Sequence, residues 1–332
     1  MAKWTQSLMA TFPTPAPPGS NKKLVLGLGA SPWVLWYDEN LLNISAPATG
    51  PMAEVSVITF SPDGNLCVIA TATALYRYDT SGGTPTYMGA FPSPPAWGHI
   101  EDLTFSPDGS RLVVTDSQLS PYCWVYNTST WASTTAPSSA AGSTVTSWVG
   151  TKLAMALGGP IEIRLRDTPA MTASASQPGT QPSVGAWANV AISPDGVYLA
   201  AHASADPAGL RVWQMSSLSA PLSNPGTMPF ANSASKGKSI AWNPSSTKFI
   251  LSELYGSSIY NVSGTSITLD TQLNYNALGA LAGVWRKDGA KLFLASQGGA
   301  PRFSVYTVSG WSKDANPATQ PASDPRAIGS NI

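Results

Sequence analysis

Seven times along the chain an apolar residue closes a mixed stretch, a short turn-like segment follows, and a second apolar residue opens a hydrophobic run. The pairs are Phe12/Leu24, Phe60/Leu66, Phe105/Leu112, Trp148/Leu153, Ile192/Leu199, Trp242/Phe249 and Trp285/Leu292, with first members 43 to 50 residues apart. A unit repeating near that length is the mark of a propeller blade, because one such unit cannot bury its own sheet faces and stacks on its neighbours instead.

The clearest unit runs from His99 to Tyr126. Leu103 and Phe105 alternate with polar residues, as a half-buried strand requires. Ser106-Pro107-Asp108-Gly109 then supplies a turn, in which Pro presets φ, Asp bonds nearby backbone and Gly accepts a positive φ. Leu112-Val113-Val114 is an unbroken apolar run suited to a strand covered on both faces, Cys123 to Tyr126 makes a third strand, and Trp131 begins an outer fourth. The turn phrase recurs at Ser61–Gly64 and Ser193–Gly196, decays at Asn243 to Ser245 and at Arg286–Gly289, and shortens at Val149-Gly150. In the first unit the proline-rich insert 13–20 stretches it. Third-strand ends recur independently at Tyr37-Asp38, Tyr78-Asp79, Tyr126-Asn127, Leu165-Arg166, Trp213-Gln214, Tyr260-Asn261 and Tyr306-Thr307, so two separate markers both count seven.

Gly98-His99, then Leu103 to Gly109, then Trp124 to Asn127 resembles a WD repeat, a family of β-propellers. Trp213-Gln214 and Tyr78-Asp79 fall where that family carries Trp-Asp. The resemblance covers roughly residues 7–311, but one unit alone has Gly-His and none has Trp followed directly by Asp, which points to the looser bacterial or viral relatives. It implies an all-β fold, a seven-bladed β-propeller of four-stranded antiparallel blades, and gives His99 a structural role within its own blade.

The expected organisation is one ring over residues 1–314 and a proline-containing tail over 315–332, which shows no strand pattern and reads as an arm or a loose end. The first strand is expected near Leu8 to Phe12, and the ring is expected to close either by packing alone or, the favoured reading, by Ala2 to Gln6 adding a strand to the last blade. Removing everything after Asp314 is therefore expected to leave the ring folded and to weaken partner binding.

Charge changes the picture. Charged residues make up 11% of the chain and formal net charge is zero, with pI about 6.7. Nucleic-acid binding needs a basic footprint that is absent here. No stretch reaches the ~20 apolar residues of a membrane span, and no targeting segment stands out. So little charge favours self-association of any uncovered surface, which suggests a surface covered by partners. Cys67 and Cys123 fall in different units and read as buried thiols.

Candidate chemistry is sparse. Two histidines, His99 and His202, do not make a zinc site; the second sits at the end of a strand before Ala203 to Asp206 and reads as a loop histidine with no partner in view. Glu54, Glu101 and Asp102 precede or start first strands and are the candidate carboxylates for one mouth of the channel. Lys236-Gly237-Lys238-Ser239 lacks the first glycine of a phosphate loop, since Asn232 stands there. Gly27-Leu28-Gly29 reads as a strand distortion. Asn43, Asn127 and Asn261 sit in glycosylation-type triplets but read as turn formers. Trp148, Trp242 and Trp285 read as inter-blade packing, and Trp33, Trp36, Trp97, Trp131, Trp187 and Trp311 as core or partner anchors.

No catalytic, metal or cofactor residues are assigned. The expectation is a non-catalytic assembly or protein-binding propeller, a structural component of a bacteriophage virion (tail, baseplate or decoration protein) whose partners are other virion proteins. The alternatives are a lactonase-like or glycan-cleaving propeller hydrolase and a cytoplasmic WD-repeat scaffold.

Overall fold

A computed structural model describes residues 22–45, 47, 50–51, 53–91, 97–118, 123–135, 143–157, 162–168, 170–174, 177–179, 187–203, 209–222, 239–253, 256–274, 280–296, 301–317 and 319–332. They form a seven-bladed, all-β propeller. From the channel outward, blade 1 holds Pro325–Ser330, Leu24–Leu28, Val34–Tyr37 and Asn43–Ile44. Blade 2 holds Val55–Phe60, Leu66–Thr71, Leu75–Asp79 and Thr86–Ala90, and blade 3 holds Ile100–Phe105, Arg111–Asp116, Cys123–Asn127 and Ser133–Thr135. Blade 4 holds Ser143–Val149, Lys152–Leu157, Glu162–Asp167 and Thr172–Ala173; blade 5 holds Trp187–Ile192, Tyr198–Ala203 and Leu210–Gln214, with no outer strand among the described residues. Blade 6 holds Ser239–Trp242, Lys248–Glu253, Gly256–Ser263 and Ser266–Asn274, and blade 7 holds Ala280–Trp285, Lys291–Ser296, Phe303–Thr307 and Ser312–Lys313. Every innermost strand packs beside the innermost strands of the two flanking blades, which closes the ring.

The second strands explain why this sequence makes blades. Cys67, Val68, Ile69 and Ala70 are all fully buried, as an unbroken apolar run must be when a neighbouring blade covers each face. Trp242 and Trp285 act between blades as well as within them: the first donates its indole N–H to the Ala191 carbonyl (3.0 Å) and the second to Ala241 (2.8 Å), each in the preceding blade. Both cysteines are buried and free.

Ring closure differs from the sequence expectation. The segment after Asp314 is not a strandless tail: Pro325–Ser330 pairs antiparallel with Leu24–Leu28 and is the innermost strand of blade 1. The roles expected for Ala2 to Gln6 and Leu8 to Phe12 lie outside the described residues. Pro and Gly hid this strand, though the position tolerates the first and demands the second. Pro325 stands at the strand start, where a missing N–H is tolerated. A Cβ on Gly329 would fall 2.5 Å from Ile58 Cγ2, and one on Gly27 would fall 2.3 Å from Val55 Cγ1, so blade 1 meets blade 2 where side chains do not fit. Gly27 also marks an irregularity in the pairing with the closing strand.

A second regularity lies on the outer side. Leu41, Trp131, Met171 and Trp311 all have positive φ (61°, 58°, 58° and 54°), and each stands four residues after the end of a third strand. The left-handed backbone folds the apolar side chain back over the sheet. Trp131 reaches blade 2, where its ring lies 4.7 Å from Phe91 and 4.9 Å from the Arg77 guanidinium. Trp311 donates to Asp270 of blade 6 at 3.1 Å. Trp36 and Trp97 are buried, while Trp33, Trp131 and Trp311 pack half-buried at core margins. The side chain of Trp187 lies outside the described residues.

Candidate functional site: the turn-side mouth of the channel

The turns between the first two strands of each blade surround one mouth of the channel. In blade 3, Ser106 Oγ donates to Asp108 Oδ1 (2.5 Å) and accepts from the Arg111 amide (2.9 Å), while the Ser110 amide donates to Asp108 Oδ1 (3.1 Å). The Ser106 and Ser110 side chains, with the Ser110 amide, favour the Asp108 carboxylate and hold its pKa down at about 2. Ser61 and Asp63 repeat the arrangement in blade 2, and Ser193 and Asp195 in blade 5. These aspartates build turns and face backbone amides.

The turns also interlock around the ring. The Cβ position of Gly109 lies 3.5 Å from Pro62 Cδ of the preceding blade, and that of Gly289 lies 3.8 Å from Pro244 Cδ. Blade 1 has no such turn, and Asn331 fills its place. Its side-chain amide donates to the Gly64 carbonyl (2.8 Å), its backbone N–H donates to the Lys23 carbonyl (2.9 Å), and its Oδ1 accepts from the Lys23 amide.

Inside this mouth lies a cavity of about 490 Å³ bounded by the inner strands of blades 2 to 6. That volume falls within the range of small-ligand pockets. Its walls combine Phe60, Phe105, Trp148 and Ile192 with the turn prolines Pro62, Pro107 and Pro194. Hydroxyls and Asn189 supply the polar part. Thr146 Oγ1 lies 2.8 Å from Thr104 Oγ1 and 3.0 Å from Asp102 Oδ2, and Ser147 Oγ accepts from the Ile192 amide (2.9 Å). None of its described lining residues is charged.

The candidate carboxylates are dispersed among different partners. Glu54 pairs with Arg326 of the closing strand (3.0 Å). Glu101 stands at the bulge between Ile100 and Asp102, 3.5 Å from His99 Nδ1. Asp102 is fully buried and accepts the Thr146 backbone amide at 2.6 Å, joining blade 3 to blade 4. The His99 backbone N–H donates to Asp116 (3.1 Å) beside that of Gly98 (2.7 Å), and its carbonyl accepts from the Ser117 amide (3.0 Å), so these contacts stay inside blade 3. His202 does lie near the end of a strand, Tyr198–Ala203, but is buried between Asn189 and Leu210 rather than in a loop. Asn127 caps a turn, accepting from the Ser129 amide (2.9 Å), whereas Asn43 and Asn261 lie within strands. The 236–238 part of the lysine-glycine motif lies outside the described residues.

Sequence reasoning missed Glu253, the last residue of the second strand of blade 6 and the counterpart of Asp116 in blade 3. It is fully buried, and burial pushes its carboxyl pKa up to about 7. Its position in the blade repeat was the available signal.

No protein-family model matches the chain, and no curated protein matches it.

Proposed function

We propose that this propeller is a non-catalytic assembly module, a structural component of a bacteriophage particle that binds other virion proteins. The observation that carries the reading is the uneven outer rim. The outer strand of blade 6 runs nine residues, Ser266–Asn274, against two or three in blades 1, 3, 4 and 7. An outer strand offers unpaired backbone groups to another chain, and this one carries the exposed Leu269; Met88, on the five-residue outer strand of blade 2, is exposed too. Scarce charge over the whole chain, at 11%, supports a surface that is covered in use. The resemblance of the Gly-His and Ser-Pro-Asp-Gly phrases to WD repeats supports a binding propeller of the looser bacterial or viral kind.

Gradient sedimentation of extract from the native source, with immunoblotting of fractions, tests the reading. Co-migration with a megadalton particle is the expected result. A slow peak at the 34.6 kDa of the single chain overturns it.

A further inference from the structure

We propose that the cavity at the turn-side mouth binds a neutral cyclic polyol of monosaccharide size, at a site separate from the outer rim. Three observations carry it. The first is the distribution of polar groups. Just before the repeated apolar residue stand Thr59, Thr104 and Ser147 in blades 2, 3 and 4, but Ala191, Ala241 and Val284 in blades 5, 6 and 7. Hydroxyls therefore cluster on one side of the cavity, while Val190, Ala191, Ile192 and Ile240 make the other side mostly apolar. Asn189, the polar residue there, is buried.

The second is unused bonding capacity in that cluster. The Thr59 hydroxyl has no hydrogen-bond partner among the described residues. Ser147 Oγ accepts from the Ile192 amide and keeps its own hydrogen to give. Thr104 donates to the Thr146 carbonyl (3.2 Å), and its oxygen competes with Asp102 Oδ2 for the one hydrogen on Thr146 Oγ1. When Asp102 takes that hydrogen, the Thr104 oxygen is open to a ligand donor. Hydroxyls both donate and accept, so this wall matches a ligand whose own groups do both.

The third is Trp148. Trp242 and Trp285, at the same place in the repeat, hand their indole N–H groups to the preceding blade. Trp148 lines the cavity, is 9% exposed, and its N–H has no acceptor among the described residues. A buried donor left unpaired calls for an explanation; a ligand oxygen reached by a small turn of the ring supplies one.

Charge sets the class of ligand. No charged residue is among the described lining residues, so an ionic ligand would lose hydration without a counter-charge. The Asp102 carboxylate, 3.0 Å behind the Thr146 hydroxyl, further disfavours an anion. A pyranose ring meets neither obstacle. Its hydroxyl edge faces Thr59, Thr104 and Ser147, and its C–H face lies on Val190, Ile192 and Ile240.

The test is a titration of the isotope-labelled full chain, read by amide and indole NMR signals. The probes are glucose, galactose, mannose and N-acetylglucosamine, with glucosamine and glucose 6-phosphate as charged controls. Each is taken to about 10 mM, where a ligand of about 1 mM Kd is roughly nine-tenths bound. The expected result is saturable shifting of the Thr59, Thr104 and Ser147 amides and of the Trp148 indole N–H by a neutral sugar. Thr59→Val, which keeps the side-chain shape, should weaken that binding about two- to tenfold, the worth of one neutral hydrogen bond. Thr59→Ser should restore it. No shift with any of the four neutral sugars overturns the proposal, as do shifts confined to residues away from the cavity. Equal or tighter binding of glucosamine or glucose 6-phosphate than of glucose overturns the ligand class. Unchanged affinity in a Thr59→Val chain with a native spectrum also overturns it; if that variant does not fold, the mapped shifts and charged controls decide.

Discussion

Asn331 and Gly64 are 267 residues apart in sequence and joined by a 2.8 Å hydrogen bond from the asparagine side-chain amide to the glycine carbonyl. The bond sits where blade 1 lacks a covalent turn, so one side chain substitutes for a chain connection. Asn331→Ala leaves the buried Lys23 amide without its side-chain partner, while the Gly64 carbonyl keeps the Thr80 hydroxyl at 2.7 Å. Such a loss costs about 1–3 kcal/mol, and a drop of that size is expected. Urea denaturation read by tryptophan fluorescence checks it; a change below about 0.5 kcal/mol, the range of ordinary surface substitutions, would refute the clasp.

Deleting residues 325–332 should have a larger consequence. It strips the innermost strand from blade 1 and exposes Leu24, Val25 and Leu26, all fully buried in the closed ring. Loss of cooperative unfolding in calorimetry, with association at low concentration, is the expected outcome. A monomer with unchanged Tm would mean that the ring closes without this strand.

Glu253 gives the fold a pH dependence. Its folded pKa of about 7 lies above the ordinary glutamate value of 4.5. The folded state therefore holds the extra proton between those values, and the stabilisation present below pH 4.5 is lost as pH rises through 7. A shift of that size corresponds to about 3 kcal/mol. Glu253→Gln, neutral at every pH, should flatten stability between pH 5 and 8. Parallel curves for the two proteins in pH-dependent thermal denaturation would show that Glu253 is not the titrating group.

Trp131 pits backbone against packing. Its φ of 58° carries a cost of roughly 1–2 kcal/mol for a residue with a side chain. Against this stand an edge-on contact with Phe91 and a cation–π contact with Arg77, worth about 0.5–1.5 and 0.5–1 kcal/mol, plus the apolar area covered. Packing wins, so Trp131→Gly should destabilise by about 1–2 kcal/mol despite relieving the backbone. Higher stability of the glycine variant would reverse that ranking.

The turns offer the opposite case. Gly109 has φ of +72° and closes the best-formed Ser-Pro-Asp-Gly turn. Gly109→Ala is expected to lower stability by about 1–2 kcal/mol, with no change in the denaturant slope. A neutral result would mean that the turn relaxes to negative φ.

Much of the fold was legible because its signals are local. Ser106 to Gly109 bonds within itself, and the run from Cys67 to Ala70 needs only covering sheets. The closing strand was illegible because its Gly329 and Pro325 answer to Ile58 and to a strand start, partners about 270 residues away or visible only in the closed ring. His202 read as a loop residue because Ala203 and Ser204 look like a turn, whereas pairing with Leu210 keeps the strand running through it. The cavity was hidden for a related reason. Phe60, Phe105 and Ile192 each look like ordinary core positions, and their convergence on one mouth exists only after the ring has formed.

A blade assembled from both ends of the described chain also dictates an order of events during synthesis. Six blades are complete in sequence before Pro325–Ser330 is made, and until then Leu24–Leu28 is a strand lacking its inner neighbour. Closing a loop of this length costs about 5 kcal/mol of chain entropy, recovered when the final strand docks. A chain cut short before Pro325 would be an open arc with an uncovered apolar edge, a natural substrate for chaperones and for edge-to-edge aggregation.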